Sequence, residues 1–125
     1  MVRRLLAQGW QVVAWDADPA RRELLPAGAE WGENPGAVRR VTDVLILCLG
    51  GDDALERACL GDGGLASSRG AHIVIDVSAT GVELTRSLGE GMDVAWLDCP
   101  ADGLPEAAER GELTMMAGGT EDLFD

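Results

Sequence analysis

Residues 43–53 read Asp43-Val44-Leu45-Ile46-Leu47-Cys48-Leu49-Gly50-Gly51-Asp52-Asp53. The run Asp43–Leu49 is the most apolar in the chain. It is short and partly β-branched, the pattern of a central strand in a parallel sheet, buried on both faces. Gly50-Gly51 ends it. Asp52-Asp53 then cap a helix expected to reach about Leu60. Strand, glycine turn and capped helix in succession make half of a βαβ unit.

The same alternation extends in both directions. Ala71–Asp76 (AHIVID) and Asp93–Leu97 read as further strands, separated by a helix from about Val82 to Leu88. Toward the N-terminus, Gln11–Trp15 reads as a strand ending at Asp16. Asp18-Pro19 starts a helix through Leu25, and Asn34-Pro35 starts another to Arg40; each pairs an N-cap residue with proline at its favoured first position. Gly28–Trp31 reads as a short strand. Residues 1–8 look like the end of a helix, stopped by Gly9. Beyond the stretch 98–105, a short helix (106–110), a strand (112–117) and a Gly-Gly turn are expected. The first element is a helix with nothing before it and the last is barely begun, so both ends look cut. The pattern is α/β: a doubly wound, mostly parallel sheet of Rossmann type.

Composition bounds the function. The 125 residues are 46% hydrophobic, enough for a packed core in one small domain. No apolar run approaches a membrane span and no secretory signal leads the chain, so a cytoplasmic location is expected. Twenty-two acids against 10 bases leave a net charge of −12. Nucleic acid and anionic membranes require a basic face and are excluded as expected partners. All 10 bases are arginine and there is no tyrosine. Chemistry that needs an ammonium or a phenol cannot come from this chain alone. His72 is the single histidine and is read as structural. Cys48, Cys59 and Cys99 form no CxxC pair, so buried free thiols are expected rather than a disulfide framework or a zinc site. The tryptophans at 10, 15, 31 and 96 are expected to pack in the core.

Asp16 is the first residue with a chemical role. An acid at the carboxyl end of an apolar strand, in a dinucleotide-binding βαβ unit, accepts hydrogen bonds from the adenosine ribose hydroxyls. It also repels a 2′-phosphate, which favours NAD over NADP. No G-x-G-x-x-G loop precedes it in these residues.

A set of motifs in fixed order carries a resemblance. Leu5-Leu6-x-x-Gly9 is followed by the strand with Asp16-x-x-Pro19, Gly28-Ala29, Thr42-Asp43-Val44 and Gly61-Asp62-Gly63-Gly64-Leu65. Asp76-Val77-Ser78 comes next, then Asp98-Cys99-Pro100 with Gly103, then Gly111-x-Leu113-Thr114-x-Met116-x-Gly118-Gly119. Together they resemble the N-terminal domain of the 3-hydroxyisobutyrate dehydrogenase (β-hydroxyacid dehydrogenase) family over nearly the whole chain. The resemblance implies an NAD(P)-dependent oxidoreductase that passes hydride between the nicotinamide and a small 3-hydroxy acid or its semialdehyde. It implies that Leu49-Gly50 lie along the dinucleotide, and that Ser78 and Thr80 sit near its ribose–nicotinamide end. It places Asp102 and Gly103 in the substrate motif.

The chain departs from that family in four ways. The first strand and the pyrophosphate loop are not in it, and the strand that would carry them is central in the fold's order. Met1 stands where that family has a methionine inside its first helix, so a missed upstream start is one reading and a natural truncation the other. The family's catalytic lysine belongs to a C-terminal helical domain absent here, so no catalytic residue is assigned. After Asp-x-Pro the family reads Val-Ser-Gly-Gly, whereas this chain reads Ala101-Asp102-Gly103-Leu104. An acid there repels a carboxylate unless protonated or paired, so either the substrate differs or the site is degraded. Gly50 stands where the family commonly has proline. The expected molecule is a partial dinucleotide-binding domain spanning 1–125, inactive alone and at best a weak NAD binder. It would be a homo-oligomer only if the C-terminal domain is present. Two alternatives stay open: a non-catalytic dehydrogenase remnant working through protein contacts, and an NADP-binding domain like that of the 6-phosphogluconate dehydrogenases.

Overall fold

A computed structural model describes residues 1–124 of the chain. Helix α1 (Val2–Ala7) ends as expected at Gly9, whose φ of +86° supplies the left-handed residue of a helix stop. The Gly9 amide bonds to Leu6 O and the Trp10 amide to Leu5 O, so the last carbonyls find partners. Strand β1 (Val12–Ala14) follows. The expected helix after Asp18 forms as a 3₁₀ helix, Pro19–Leu24, rather than an α-helix. Asp18 caps it by accepting from the Ala20 amide. Leu25 is extended ahead of Pro26, which shuts the helix off after six residues.

Strand β2 (Ala29–Trp31) and helix α2 (Pro35–Val41) come next, and the Asn34 side chain accepts from the Ala37 amide at 2.8 Å. The apolar run forms β3 (Val44–Leu47), followed by α3 (Asp52–Leu60). The remaining elements are β4 (Ile73–Asp76), α4 (Val82–Gly91), β5 (Ala95–Asp98), β6 (Ala101–Asp102), α5 (Pro105–Arg110) and β7 (Thr114–Met115). Short 3₁₀ turns occupy Leu65–Ser67 and Glu121–Phe124. The strand expected over 112–117 contracts to two residues paired antiparallel with β6, which the sequence pattern did not reveal.

The parallel strands fall into two hydrogen-bonded sets. β1 pairs with β2, while β3, β4 and β5 form a second sheet with β4 in the middle. Val44, Ile73 and Ala95 share one rung, and Leu47, Asp76 and Asp98 share the last. Among the described residues no ladder joins β1 to β3. The fold is a Rossmann-like α/β arrangement whose sheet is open between these two strands.

The core lies on one face of the β3–β4–β5 sheet. Leu45 and Leu47 of β3 and Val74 of β4 meet Leu55 and Cys59 of α3 and Leu88 of α4. The α3 residues recur at i, i+3 and i+4, as an amphipathic helix requires. Val13 and Trp15 from the β1 segment pack against the same cluster.

Two expectations about the core are corrected. Trp10 is 63% exposed, because the chain turns outward at Gly9 before β1 begins; Trp15 and Trp96 do pack against the core. Cys48 is exposed just past the end of β3, whereas Cys59 and Cys99 are buried. His72 is exposed, and its backbone amide bonds to Asp43 O ahead of β4. Among the described residues no helix is long and apolar enough to cross a membrane.

Candidate functional site

Every residue assigned to the site follows the carboxyl end of a parallel strand. Open α/β sheets bind ligands at these ends, where loops leave the ladder and backbone amides become free. Asp16 follows β1, Leu49 and Gly50 follow β3, Ser78 and Thr80 follow β4, and Asp102 and Gly103 follow β5.

Three of these loops are brought together. The ladder between β3 and β4 runs out when the Val77 amide reaches Leu47 O. One residue later the Leu49 amide donates to Ser78 Oγ at 2.9 Å, so a side chain replaces the next ladder bond. On the other side of β4, the Cys99 amide bonds to Asp76 O and the Ala101 amide to Val77 O. The expected substrate segment therefore borders the expected cofactor segment. Ser78 itself is buried at 3% exposure. Thr80 is half-buried, and its hydroxyl meets that of Thr85 at 3.1 Å.

Asp16 stands apart from these contacts. It is exposed, and its Oδ1 accepts the Asp18 amide at 2.9 Å, which shapes the turn into the 3₁₀ helix. Among the described residues nothing donates to Oδ2, so one carboxylate oxygen can accept from a sugar hydroxyl. Asp102 is exposed on β6 and, among the described residues, forms no ion pair. Gly103 adopts φ +140°, a conformation that L side chains rarely adopt.

Two acids matter here for reasons the sequence reading missed. Asp52 and Asp53 were expected to cap α3, but Gly51 is the N-cap and no side chain caps that end. Both acids lie in the first turn, where negative charge suits the helix dipole. The Asp52 carboxylate instead reaches the start of the next helix, where Oδ1 accepts the Gly81 amide at 2.7 Å. No local pattern marks this pairing, which spans 29 positions in the chain.

Asp76 is the second. Its carboxyl has no solvent exposure, Oδ1 accepts the Ser78 amide at 3.0 Å, and Oδ2 meets no donor. Burial pushes its pKa above the ordinary carboxylate range, against hydrogen bonding from Ser78 that pulls it down; the nearby Asp98 charge raises it further. The pair Asp76-Val77-Ser78 was visible as a motif, but nothing in the sequence said the acid faces inward. Below it, burial and the Asp76 charge push the Cys59 thiol up to about 12, partly opposed by Arg39. Neither buried thiol is a nucleophile at neutral pH. Among the described residues, no group of three or more His, Cys, Asp or Glu is placed to hold a metal.

The residues present fit a pyridine dinucleotide in its outer parts. Asp16 offers an acceptor for ribose. A Cβ at Gly50 or Gly51 would meet nothing within 4 Å, so the loop after β3 opens onto free space that a ligand can enter. A nucleotide-binding α/β domain is the class that this fold and these strand-end loops define.

Comparison with known proteins places it more narrowly. The NAD binding domain of 6-phosphogluconate dehydrogenase matches residues 1–125, and the chain belongs to that family. It is 30% identical over 129 residues to mitochondrial 3-hydroxyisobutyrate dehydrogenase of Bos taurus, covering 99% of this chain and 38% of that protein. A solved structure of Psf3 in complex with NADP+ and 2-OPP matches with a TM-score of 0.87 at 26% identity, covering 98% of this chain and 45% of that one. The Mycobacterium tuberculosis 3-hydroxyisobutyrate dehydrogenase with L-serine matches with a TM-score of 0.83 at 27% identity, covering 97% and 42%. The chain thus spans less than half the length of these relatives. By that family it is an NAD-binding domain, and the relatives it matches are dehydrogenases.

Proposed function

We propose that this chain holds NAD for hydride transfer to or from a small 3-hydroxy acid or its semialdehyde. The observation that carries this reading is the meeting of three strand ends. Leu49 and Ser78 are joined by a hydrogen bond, and Ala101 is bonded beside them to Val77. Cofactor and substrate segments are therefore neighbours, as transfer between them demands. When bound, the nicotinamide supplies the hydride chemistry. The chain's own residues orient it: Asp16 accepts from the adenosine ribose, Leu49-Gly50 line the dinucleotide, and Ser78 and Thr80 flank its ribose–nicotinamide end. Asp102 and Gly103 face the substrate.

Preference for NAD rests on Asp16. Its free oxygen accepts from a 2′-hydroxyl and repels a 2′-phosphate. The related structure holding NADP+ favours the opposite reading, so the distinction is open to direct test. In Asp16→Asn the Oδ1 that accepts the Asp18 amide is kept and the charge is removed. If Asp16 selects NAD, this variant loses the preference for NAD over NADP in a calorimetric titration while its melting temperature holds. An unchanged preference would contradict the assignment.

The chain alone is proposed to be inactive, since it contains no lysine and its one histidine, His72, lies ahead of β4, at the opposite end from these loops. The open edges of β1 and β3 suit one further parallel strand. A version of the protein carrying more N-terminal residues is proposed to bind NAD more tightly. Oligomerisation is proposed only for a form that includes the helical domain of the longer relatives.

A further inference from the structure

We propose that Ser78 and Asp52 are positioning residues that lock the turns Leu49–Asp52 and Ser78–Gly81 into one rigid lip of the dinucleotide site. The proposal rests on the reading given under Proposed function, but its test does not. The two turns leave adjacent strands at the same end, where backbone pairing stops with Val77 N to Leu47 O. From there four residues, 48–51 and 78–81, precede each helix. Near the ladder the turns are tied by Leu49 N to Ser78 Oγ at 2.9 Å. At the helix starts they are tied by Gly81 N to Oδ1 of Asp52, the first residue of α3, at 2.7 Å. The two bonds close a ring across the loops, one side-chain acceptor from each turn.

Inside the ring lie Gly50 and Gly51, the most freely rotating pair the backbone allows. Gly51 is held at φ +122°, and as the N-cap of α3 its carbonyl accepts the Leu55 amide at 3.0 Å. A Cβ there would meet open space, so no side-chain packing adds to this, and the ring is what ties Gly50-Gly51 across to the Ser78–Gly81 turn. Ser78 is itself fixed from beneath, where its amide donates to the buried Asp76 Oδ1 at 3.0 Å. A lip ordered before the ligand arrives spares the binding step that ordering cost. The alternative is that Asp52 and Ser78 merely support the start of α4, in which case Val82–Thr85, not Gly50-Gly51, would feel their loss.

The test is ¹⁵N relaxation on the 125-residue chain and on the variants Asp52→Ala, Asp52→Asn and Ser78→Ala. In the unmodified chain, order parameters at Gly50 and Gly51 are expected near the rigid-backbone value of about 0.85, falling below about 0.6 in Asp52→Ala and Ser78→Ala. Asp52→Asn keeps the acceptor and is expected to keep the rigid value. Gly50 and Gly51 already below about 0.6 in the unmodified chain, or unmoved in both variants, would overturn the proposal. Asp52 is exposed, so Asp52→Ala decides the matter even where the buried Ser78 variant does not fold. Where the unmodified chain binds NAD, Asp52→Ala is expected to weaken it about tenfold, the loss of one hydrogen bond, and Asp52→Asn to leave it unchanged. A chain that binds no NAD would contradict the functional reading, while the order parameters would still decide the rigidity of the lip.

Discussion

The buried Asp76 carboxyl sits beneath the turn that Ser78 opens, with Oδ1 on the Ser78 amide at 3.0 Å and Oδ2 on nothing. The floor of the candidate site is therefore an acid that holds its proton more tightly than an ordinary aspartate. Burial is the first cause, and the Asp98 charge on the next strand adds to it.

That shift fixes a pH dependence. The folded state binds the Asp76 proton above the pH at which the unfolded chain releases it. Between the ordinary aspartate range and the raised value, the unfolded state binds fewer protons, so stability falls as pH rises. Asp76→Asn cannot ionise and should lack this component. Melting curves of both proteins from acid to neutral pH are expected to diverge, with the unmodified chain losing ground to the variant. Parallel curves would contradict the assignment. Asp76→Ala, which strands the Ser78 amide, is expected to cost about 1–3 kcal/mol at acid pH, where Asp76 is protonated, and less as pH rises.

The three thiols should separate by reactivity. Cys48 is exposed, Cys59 is enclosed with its pKa pushed up to about 12, and burial also raises Cys99. A disulfide reagent at mildly alkaline pH is expected to label Cys48 rapidly, and Cys59 and Cys99 only on unfolding. Rapid labelling of Cys59 in the native protein would show that the core between α3 and β4 is loose.

The core itself gives a third expectation. Leu55 has no solvent exposure and packs between α3 and the sheet. Leu55→Ala is expected to cost about 2–5 kcal/mol, the range for an enclosed leucine whose cavity cannot collapse. For a domain whose whole stability is of order 5–15 kcal/mol, that loss should appear as a large fall in melting temperature. A loss below about 1 kcal/mol would mean that the helix does not rest on the sheet as described.

Much of this was legible in the residues. The apolar run 43–49 followed by Gly-Gly located β3 and the loop after it, and Asn34-Pro35 located α2 by its cap. The order of motifs named the family that the comparisons support. What failed was tertiary. Asp52 read as a cap because an acid at a helix start usually is one; its partner, Gly81, lies just before another helix, and no local window contains both. Asp18-Pro19 marked a helix start correctly, but Pro26 cut it to a 3₁₀ turn. Trp10 was assigned to the core by its type, whereas the left-handed Gly9 turns it to solvent. β6 and β7 are two residues long, too short for a period of two to show.

The most direct test is a calorimetric titration of NAD and NADP against the 125-residue chain and against a version extended through upstream in-frame codons. The expected result is NAD binding that is weak or absent in the shorter chain, tighter in the longer one, and stronger than NADP binding. Failure of both to bind, or a preference for NADP, would contradict the account of Asp16 and the strand-end loops as an NAD site.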